Sequence, residues 1–108
     1  MNIYDYCTAG GKNVILSYID DLPAKERLEI YDIRDQIREY GSDAFQKLNT
    51  RQLYGKMWEI KVSQTRIMYV IADRENVYFL HVCKKEKNKA EKQELDKAIS
   101  RAKKEQLL

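Results

Sequence analysis

The sequence lacks the features that mark membrane and exported proteins. A transmembrane helix needs roughly 18 or more apolar residues in a row, and the chain has no run of that length; the run from Val77 to Val82 is interrupted by His81. The amino terminus shows no basic start, apolar stretch and small-residue cleavage site of the export type. The two cysteines, Cys7 and Cys83, could pair, but a reducing cytoplasm would keep them as thiols. We therefore expect a cytoplasmic protein without a membrane partner.

Proline and glycine are also scarce, with one proline and four glycines in 108 residues. No repeat, low-complexity segment or linker marks a domain boundary. A chain of this size can bury roughly 60–70% of its unfolded surface, which suffices for a core without disulfides. We predict a single domain over residues 1–108.

Signatures of metal and cofactor sites are missing as well. The chain has one histidine, no Cys/His cluster with metal-ligand spacing, and no glycine-rich phosphate loop. The sequence therefore predicts no metal and no cofactor.

Positive charge is present but unevenly distributed. Residues 1–50 carry six Lys/Arg against nine Asp/Glu, whereas residues 51–108 carry fourteen against eight. A basic half on a chain of net charge +3 favours a surface that faces a polyanion. A solvated, lysine-rich final helix would produce the same imbalance.

The first half of the chain predicts one strand and two helices. Residues 2–7 have the pattern of a short strand. Asn13 is placed to cap a short helix, which Pro23 would end. A second helix is predicted from about Ala24 to Tyr40, because its apolar residues recur every three or four positions. Gly41 follows the helix at the position where a left-handed C-cap is expected.

The second half predicts a sheet and a final helix. The stretch Ser42–Gln52 is poor in signals and is predicted to be a loop or an irregular turn. From Leu53 onward three runs alternate with a period of two and are joined by short turns, which is typical of an antiparallel meander. Asn88 and Glu91 form a capping-box pattern before the last helix. The predicted order is β-α-α-β-β-β-α, an α+β fold in which an N-terminal strand and helical pair pack on the sheet.

Burial fixes which residues of the meander share a face, since a slip of one residue would expose an apolar set. Adjacent strands should then pair Ile60 with Ile67 and Ile71 with Tyr78. The face toward the two N-terminal helices is predicted to hold Trp58, Ile60, Val62, Ile67, Tyr69, Ile71, Tyr78, Leu80 and Val82. The opposite face is predicted to hold Met57, Glu59, Lys61, Arg66, Met68, Val70, Phe79, His81, Cys83 and Lys85.

Cations converge on this opposite face. Lys61 should lie across from Arg66, and Arg66 across from Cys83, with Lys85 just beyond. Like charges placed directly opposite destabilise an antiparallel pair, so an anionic ligand would explain them. A phosphodiester is the natural anion, because Arg offers a planar fork of donors and Lys a point charge. Such groups stabilise the transition state of displacement at phosphorus and would assist attack by a ribose 2′-hydroxyl without a metal.

Each residue also has a plainer interpretation. Lys61 and Arg66 could bridge to Glu59 on a solvated face, and His81 could be a packed, hydrogen-bonded residue. Cys83 could be an activated thiol, but no second member of a triad is apparent. Met57, Met68 and Phe79 could form a second core under the last helix. The run Lys84, Lys85, Lys87 and Lys89 could simply be solvated.

The sequence resembles a known family. Trp58-Glu59-Ile60-Lys61-Val62, Arg66-Ile67-Met68-Tyr69 and Phe79-Leu80-His81-x-Cys83-x-Lys85 are similar to successive strands of RelE/ParE-superfamily toxins. The similarity is greatest to the HigB-like, phage-derived branch, and it spans nearly the whole chain. Glu86 stands where the family has the second lysine of a pair, and no C-terminal tyrosine is present.

The resemblance implies a toxin of a type II toxin–antitoxin system, a ribosome-dependent mRNA endoribonuclease. It implies a cognate helix-turn-helix (HigA-like) antitoxin, the ribosome and mRNA as partners, with operator DNA bound only through the antitoxin. By position in the family pattern, Lys61, Arg66, Lys85 and His81 would be catalytic. The residues expected to contact RNA are Lys56, Glu59, Lys84, Lys87 and Lys89. The alternatives are a ParE-like gyrase inhibitor and a catalytically inactive binding relative.

Overall fold

The computed structural model describes residues 1–85, 87 and 89–108. Its strands are β1 (Asn2–Asp5), β2 (Thr50–Tyr54), β3 (Met57–Val62), β4 (Thr65–Asp73) and β5 (Asn76–Lys84). Its helices are α1 (Val14–Asp20), α2 (Ala24–Tyr40) and α3 (Lys89–Lys104), with a 3-10 helix over Gly41–Lys47. No helix in the described part of the chain is long and apolar enough to cross a bilayer.

The five strands form one sheet in the order β1-β5-β4-β3-β2. The strands from β2 to β5 are antiparallel neighbours, and β1 pairs in parallel with β5 at the other edge. The parallel pairing is possible because α1 and α2 separate β1 from the rest of the sheet in the chain. The predicted α+β class, with a helical pair on the sheet and a C-terminal helix, is confirmed.

Two predictions about the elements are wrong. The stretch Ser42–Gln52 is not a loop or an irregular turn, because it contains most of the 3-10 helix and the start of β2. The first strand ends at Asp5 rather than at residue 7, and Cys7 makes only an isolated bridge to Asn13. The edge strand β2 has little alternation of its own and depends on its pairing with β3.

The sheet separates two apolar cores. The larger core lies between the sheet and the pair α1 and α2, and the smaller lies between the sheet and α3. The face opposite the helical pair is therefore half covered by a helix. Met57 and Met68 belong to this smaller core, together with Val70, Leu80, Cys83, Ala98 and Ala102.

A β-bulge in β5 reverses the predicted faces of its first half. Met68 pairs with His81, whereas Tyr69 pairs with Phe79, so Leu80 is the extra residue. Phe79 consequently packs in the larger core and Leu80 under α3, the reverse of the prediction. Tyr78 likewise packs against the α3 core rather than facing the helical pair.

The two predicted cross-strand pairings differ in outcome. Ile60 pairs with Ile67 as predicted. Ile71 pairs with Val77 rather than Tyr78, since the bulge shifts the register by one residue. Trp58 and Ile71 lie at the margin of the larger core's face, and each remains 37% exposed.

Local signals set the helix boundaries in the first half. Asn13 caps α1, its side-chain oxygen accepting hydrogen bonds from the amides of Ile15 and Leu16 at 3.0 and 2.9 Å. Pro23 precedes α2, which has the predicted bounds. Gly41 ends α2 with φ of 65°, a conformation that glycine adopts at low cost. The predicted cap of α3, Asn88, lies outside the described residues.

Replacing Asn13 with alanine is expected to lower the free energy of unfolding by about 1 kcal/mol, because two amides of the first turn lose their acceptor. Urea unfolding checks this value. Asn13 also donates to Asp5 at 3.1 Å. Asn13→Ser keeps a capping oxygen and loses that donor, so it should recover most of the stability. Equal losses in the two variants would contradict the capping role.

Candidate nucleic-acid cleft

A cleft of about 390 Å³ opens on the α3 side of the sheet, between the ends of β3, β4 and β5 and the start of α3. Among the described residues, six cationic side chains line it against three carboxylates. The lining residues are Arg51, Glu59, Lys61, Arg66, Met68, Cys83, Lys84, Lys85, Lys87, Glu91 and Glu94. This excess of positive charge suits an anionic ligand.

Arg66 lies at the centre of the pairing that forms the cleft floor. Lys61 is its partner on β3 and Cys83 its partner on β5, as predicted. One terminal nitrogen of Arg66 donates to the carbonyls of Ser63 and Thr65 at 2.8 and 3.1 Å. Its side chain is only 13% exposed, so the guanidinium is held in place before a ligand arrives.

Glu59 is buried beneath the arginines of the cleft. Its Oε1 lies 3.2 Å from Arg51 and 3.9 Å from the Nε of Arg66. Arg51 also donates to Glu91, on α3, at 2.8 Å, and this bond raises the pKa of Arg51 against the opposing effect of burial. Glu59 therefore forms ion pairs with two guanidinium groups, and Arg51 links β2 to α3.

The remaining cations stand at the rim. Lys84, Lys85 and Lys87 are exposed, at the end of β5 and in the segment that leads to α3. The amide of Lys85 donates to the carbonyl of Gln64 at 2.6 Å, which extends the pairing of β4 and β5 past Thr65. Lysine side chains placed this way can reach phosphate oxygens from the solvent side.

His81 does not line the cleft. It is 6% exposed beneath α3, where its Nε2 contacts Glu94 and its Nδ1 accepts from Arg101 at 3.0 Å. Arginine is always a donor, so the ring proton is on Nε2 and the imidazole is neutral. Burial lowers the pKa of His81, and the charges of Arg101 and Lys97 lower it further against the opposing effect of Glu94.

Glu94 joins His81 to the cleft. Burial alone would raise the pKa of Glu94, but the hydrogen bond with His81 and the one with Cys83 help to lower it. A ring nitrogen of His81, the sulfur of Cys83 and a carboxylate oxygen of Glu94 all lie within 4.8 Å of one another. The sequence shows no such cluster, because β5 and α3 contribute its members from separate elements.

The predicted RNA-binding residues divide between two faces. Glu59, Lys84 and Lys87 line the cleft, whereas Lys89 begins α3 without lining it. Lys56, in the turn between β2 and β3, lines a separate apolar groove with Trp58 and other residues. Sequence reasoning missed Arg51, Glu91 and Glu94. The turn Gly55–Lys56 was the available signal, since a hairpin there pairs Arg51 with Glu59.

Comparison with known proteins decides the family. Residues 17–103 match the family model described as Phage derived protein Gp49-like (DUF891). The chain belongs to this family. The match covers most of the chain and both halves of the Gp49-like domain, including α2, the sheet from β2 to β5 and nearly all of α3. A search of curated proteins finds no match.

A solved structure shares the fold of this Gp49-like chain. It is a chain of the RelB-RelE antitoxin-toxin complex from Methanococcus jannaschii, with 18% sequence identity and a TM-score of 0.55. The alignment covers 64% of the present chain and 81% of the other. Together with the family match, this likeness confirms the predicted relationship to the RelE/ParE superfamily in its phage-derived branch.

Proposed function

We propose that this Gp49-like protein is the toxin of a type II toxin–antitoxin system and cleaves mRNA on the ribosome. The observation that carries the proposal is the meeting of Lys61, Arg66 and Lys85 in one cleft. Three separate stretches of sequence supply these cations: the sheet register pairs Lys61 with Arg66, and a main-chain hydrogen bond to Gln64 holds Lys85 just beyond the end of β5. Two cations placed directly opposite each other in a sheet repel. A face that meets only solvent gives no reason for Lys61 and Arg66 to pair directly, whereas a bound anion stabilises this arrangement.

The chemistry that suits the cleft is attack by a ribose 2′-hydroxyl on the adjacent phosphorus. The new bond joins the 2′-oxygen to phosphorus, the bond to the 5′-oxygen breaks, and that oxygen leaves with a proton. The products are a 2′,3′-cyclic phosphate and a 5′-hydroxyl. Negative charge grows on the non-bridging oxygens in the transition state, where the held guanidinium of Arg66 stabilises it. Lys61 and Lys85 are proposed to bind the phosphate and assist proton transfer.

The proposed partner is an antitoxin that covers the cleft. The fold is shared with a chain of an antitoxin-toxin complex, and the cleft's excess of cations suits an acidic segment of the partner. We propose a helix-turn-helix antitoxin, which would also make the only contact with operator DNA. Bound carboxylates would then compete with RNA phosphates for Arg66 and Lys85.

The experiment is induced expression in a bacterial host, followed by mapping of RNA 5′ ends in cells and in reactions with purified ribosomes. We expect growth arrest, and new 5′-hydroxyl ends in translated mRNA that require ribosomes. Cleavage of free RNA at equal rates would overturn ribosome dependence. Growth arrest with intact mRNA and impaired DNA supercoiling would instead establish the gyrase-inhibitor alternative.

A further inference from the structure

The cluster formed by His81, Cys83 and Glu94 has no part in the proposed phosphate chemistry. It lies between β5 and α3, with the imidazole and the thiol buried and the carboxylate partly exposed. Cys83 and Glu94 also line the cleft, so the cluster is accessible from one side. Glu94 brings a carboxylate from α3 to the two side chains from β5, and Arg101, also on α3, donates to Nδ1 of His81.

These three donors match the preference of one class of metal ion. Imidazole nitrogen, thiolate sulfur and carboxylate oxygen are the ligands of zinc, which binds them at about 2.0–2.3 Å in tetrahedral geometry. Ligand atoms around such an ion lie roughly 3.5 Å apart. The widest pair of the cluster, within 4.8 Å, needs about 1 Å of closure, whereas Nε2 of His81 and the Glu94 carboxylate, now in contact, must move apart to admit the ion. A thiolate and a carboxylate neutralise a divalent ion, so binding with loss of the Cys83 proton changes the net charge of the cluster from that of the Glu94 carboxylate to zero.

We propose that His81, Cys83 and Glu94 form a binding site for a zinc-class divalent cation that fastens α3 to β5. Binding converts the Cys83 thiol to a thiolate and releases its proton to solvent. The ion replaces the contact between Nε2 of His81 and Glu94, and its fourth position faces the cleft, where water completes the tetrahedron. The proposal is independent of RNA cleavage, because it concerns binding and stability.

Arg101 limits the affinity of this site. In the metal-free protein Arg101 donates to Nδ1 of His81 at 3.0 Å. When Nε2 binds the ion, the ring proton moves to Nδ1, and two N–H donors then face each other. Arg101 would keep its other hydrogen bond, to the carbonyl of Leu80. Metal-binding histidines usually donate their second N–H to an acceptor, and losing such a partner costs about 10–100-fold in affinity. Arg101→Gln supplies an acceptor oxygen and should therefore bind the ion more tightly.

The test is titration of the purified full-length chain with Co²⁺, followed by displacement with Zn²⁺. We expect a near-ultraviolet thiolate-to-cobalt band, intense visible bands of tetrahedral cobalt, and a higher melting temperature with Zn²⁺. Cys83→Ser should remove the thiolate band, and His81→Gln or Glu94→Gln should weaken binding by about tenfold or more. Melting without metal verifies that each variant is folded.

Cys7→Ser is the matched control, since Cys7 is the exposed cysteine outside the cluster. It should leave the spectrum and the affinity unchanged. A weak octahedral cobalt spectrum, or a thiolate band lost in Cys7→Ser and retained in Cys83→Ser, would overturn the proposal. Weaker binding in Arg101→Gln would overturn the assignment of Nε2 as the ligand atom.

Discussion

Arg66→Ala is expected to abolish growth arrest and to reduce the rate of mRNA cleavage by about 10²–10³-fold, the usual cost of removing one preorganised transition-state donor. The guanidinium of Arg66 is fixed by two main-chain carbonyls and lies between Lys61 and Cys83 in the sheet. Its loss leaves the centre of the cleft without a planar donor pair. Single-turnover cleavage on programmed ribosomes measures the effect.

Two further variants separate chemistry from charge. Arg66→Lys keeps the positive charge without the fork, so we expect it to recover ribosome binding more than the cleavage rate. Arg74→Ala removes an exposed arginine from the turn between β4 and β5, outside the cleft, and should cleave at the parental rate. Full toxicity and cleavage in folded Arg66→Ala would refute the proposed role.

Arg34→Met is expected to lower the free energy of unfolding by about 3–5 kcal/mol, because it leaves a carboxylate buried without its partner. Arg34, on α2, is 2% exposed and donates to both oxygens of Asp5, on β1, at 2.7 and 2.8 Å. Its guanidinium also lies over the ring of Phe79, 5.3 Å from the centroid. The pair therefore ties the parallel edge strand to α2, and Arg34 also contacts β5 through Phe79. Urea unfolding gives the value.

Arg38→Met is the matched control on the same helix. Arg38 pairs with Asp35 at 3.2 Å on the surface, and such exposed pairs contribute about 0–1 kcal/mol. The double variant Arg34→Met, Asp5→Leu should recover part of the lost stability, since neither charge then remains buried. A loss in Arg34→Met no larger than that in Arg38→Met would show that the buried pair is not a major stabilising contact.

Prediction from sequence succeeded where one local signal decides the structure. The apolar period of α2, the capping oxygen of Asn13 and the alternation in β3 each act over a few residues. The same alternation placed Lys61 opposite Arg66 correctly. It failed at β5, where the extra residue Leu80 changed the face of Phe79, because a bulge depends on the neighbouring strand.

The residues of the candidate site likewise fall into those that the sequence predicted and those that depend on tertiary packing. Its cations on β3 and β4 were predictable from strand parity, whereas Arg51 lies on β2, for which the turn Gly55–Lys56 was the available signal. Glu91 and Glu94 reach the cleft only because α3 packs across the sheet. For the same reason His81, predicted on the correct face, is covered by a helix and joined to Glu94 and Arg101.

The amino-acid order by itself determined which residues could be helical or extended and which side of β3 and β4 would carry charge, since both follow from side-chain periodicity. Tertiary structure alone decided how β1 joins the sheet, how deeply Glu59 is buried, and that an imidazole, a thiol and a carboxylate meet at α3. The physical reason is that these features arise between elements distant in the chain, where packing and desolvation, rather than local propensity, select the arrangement.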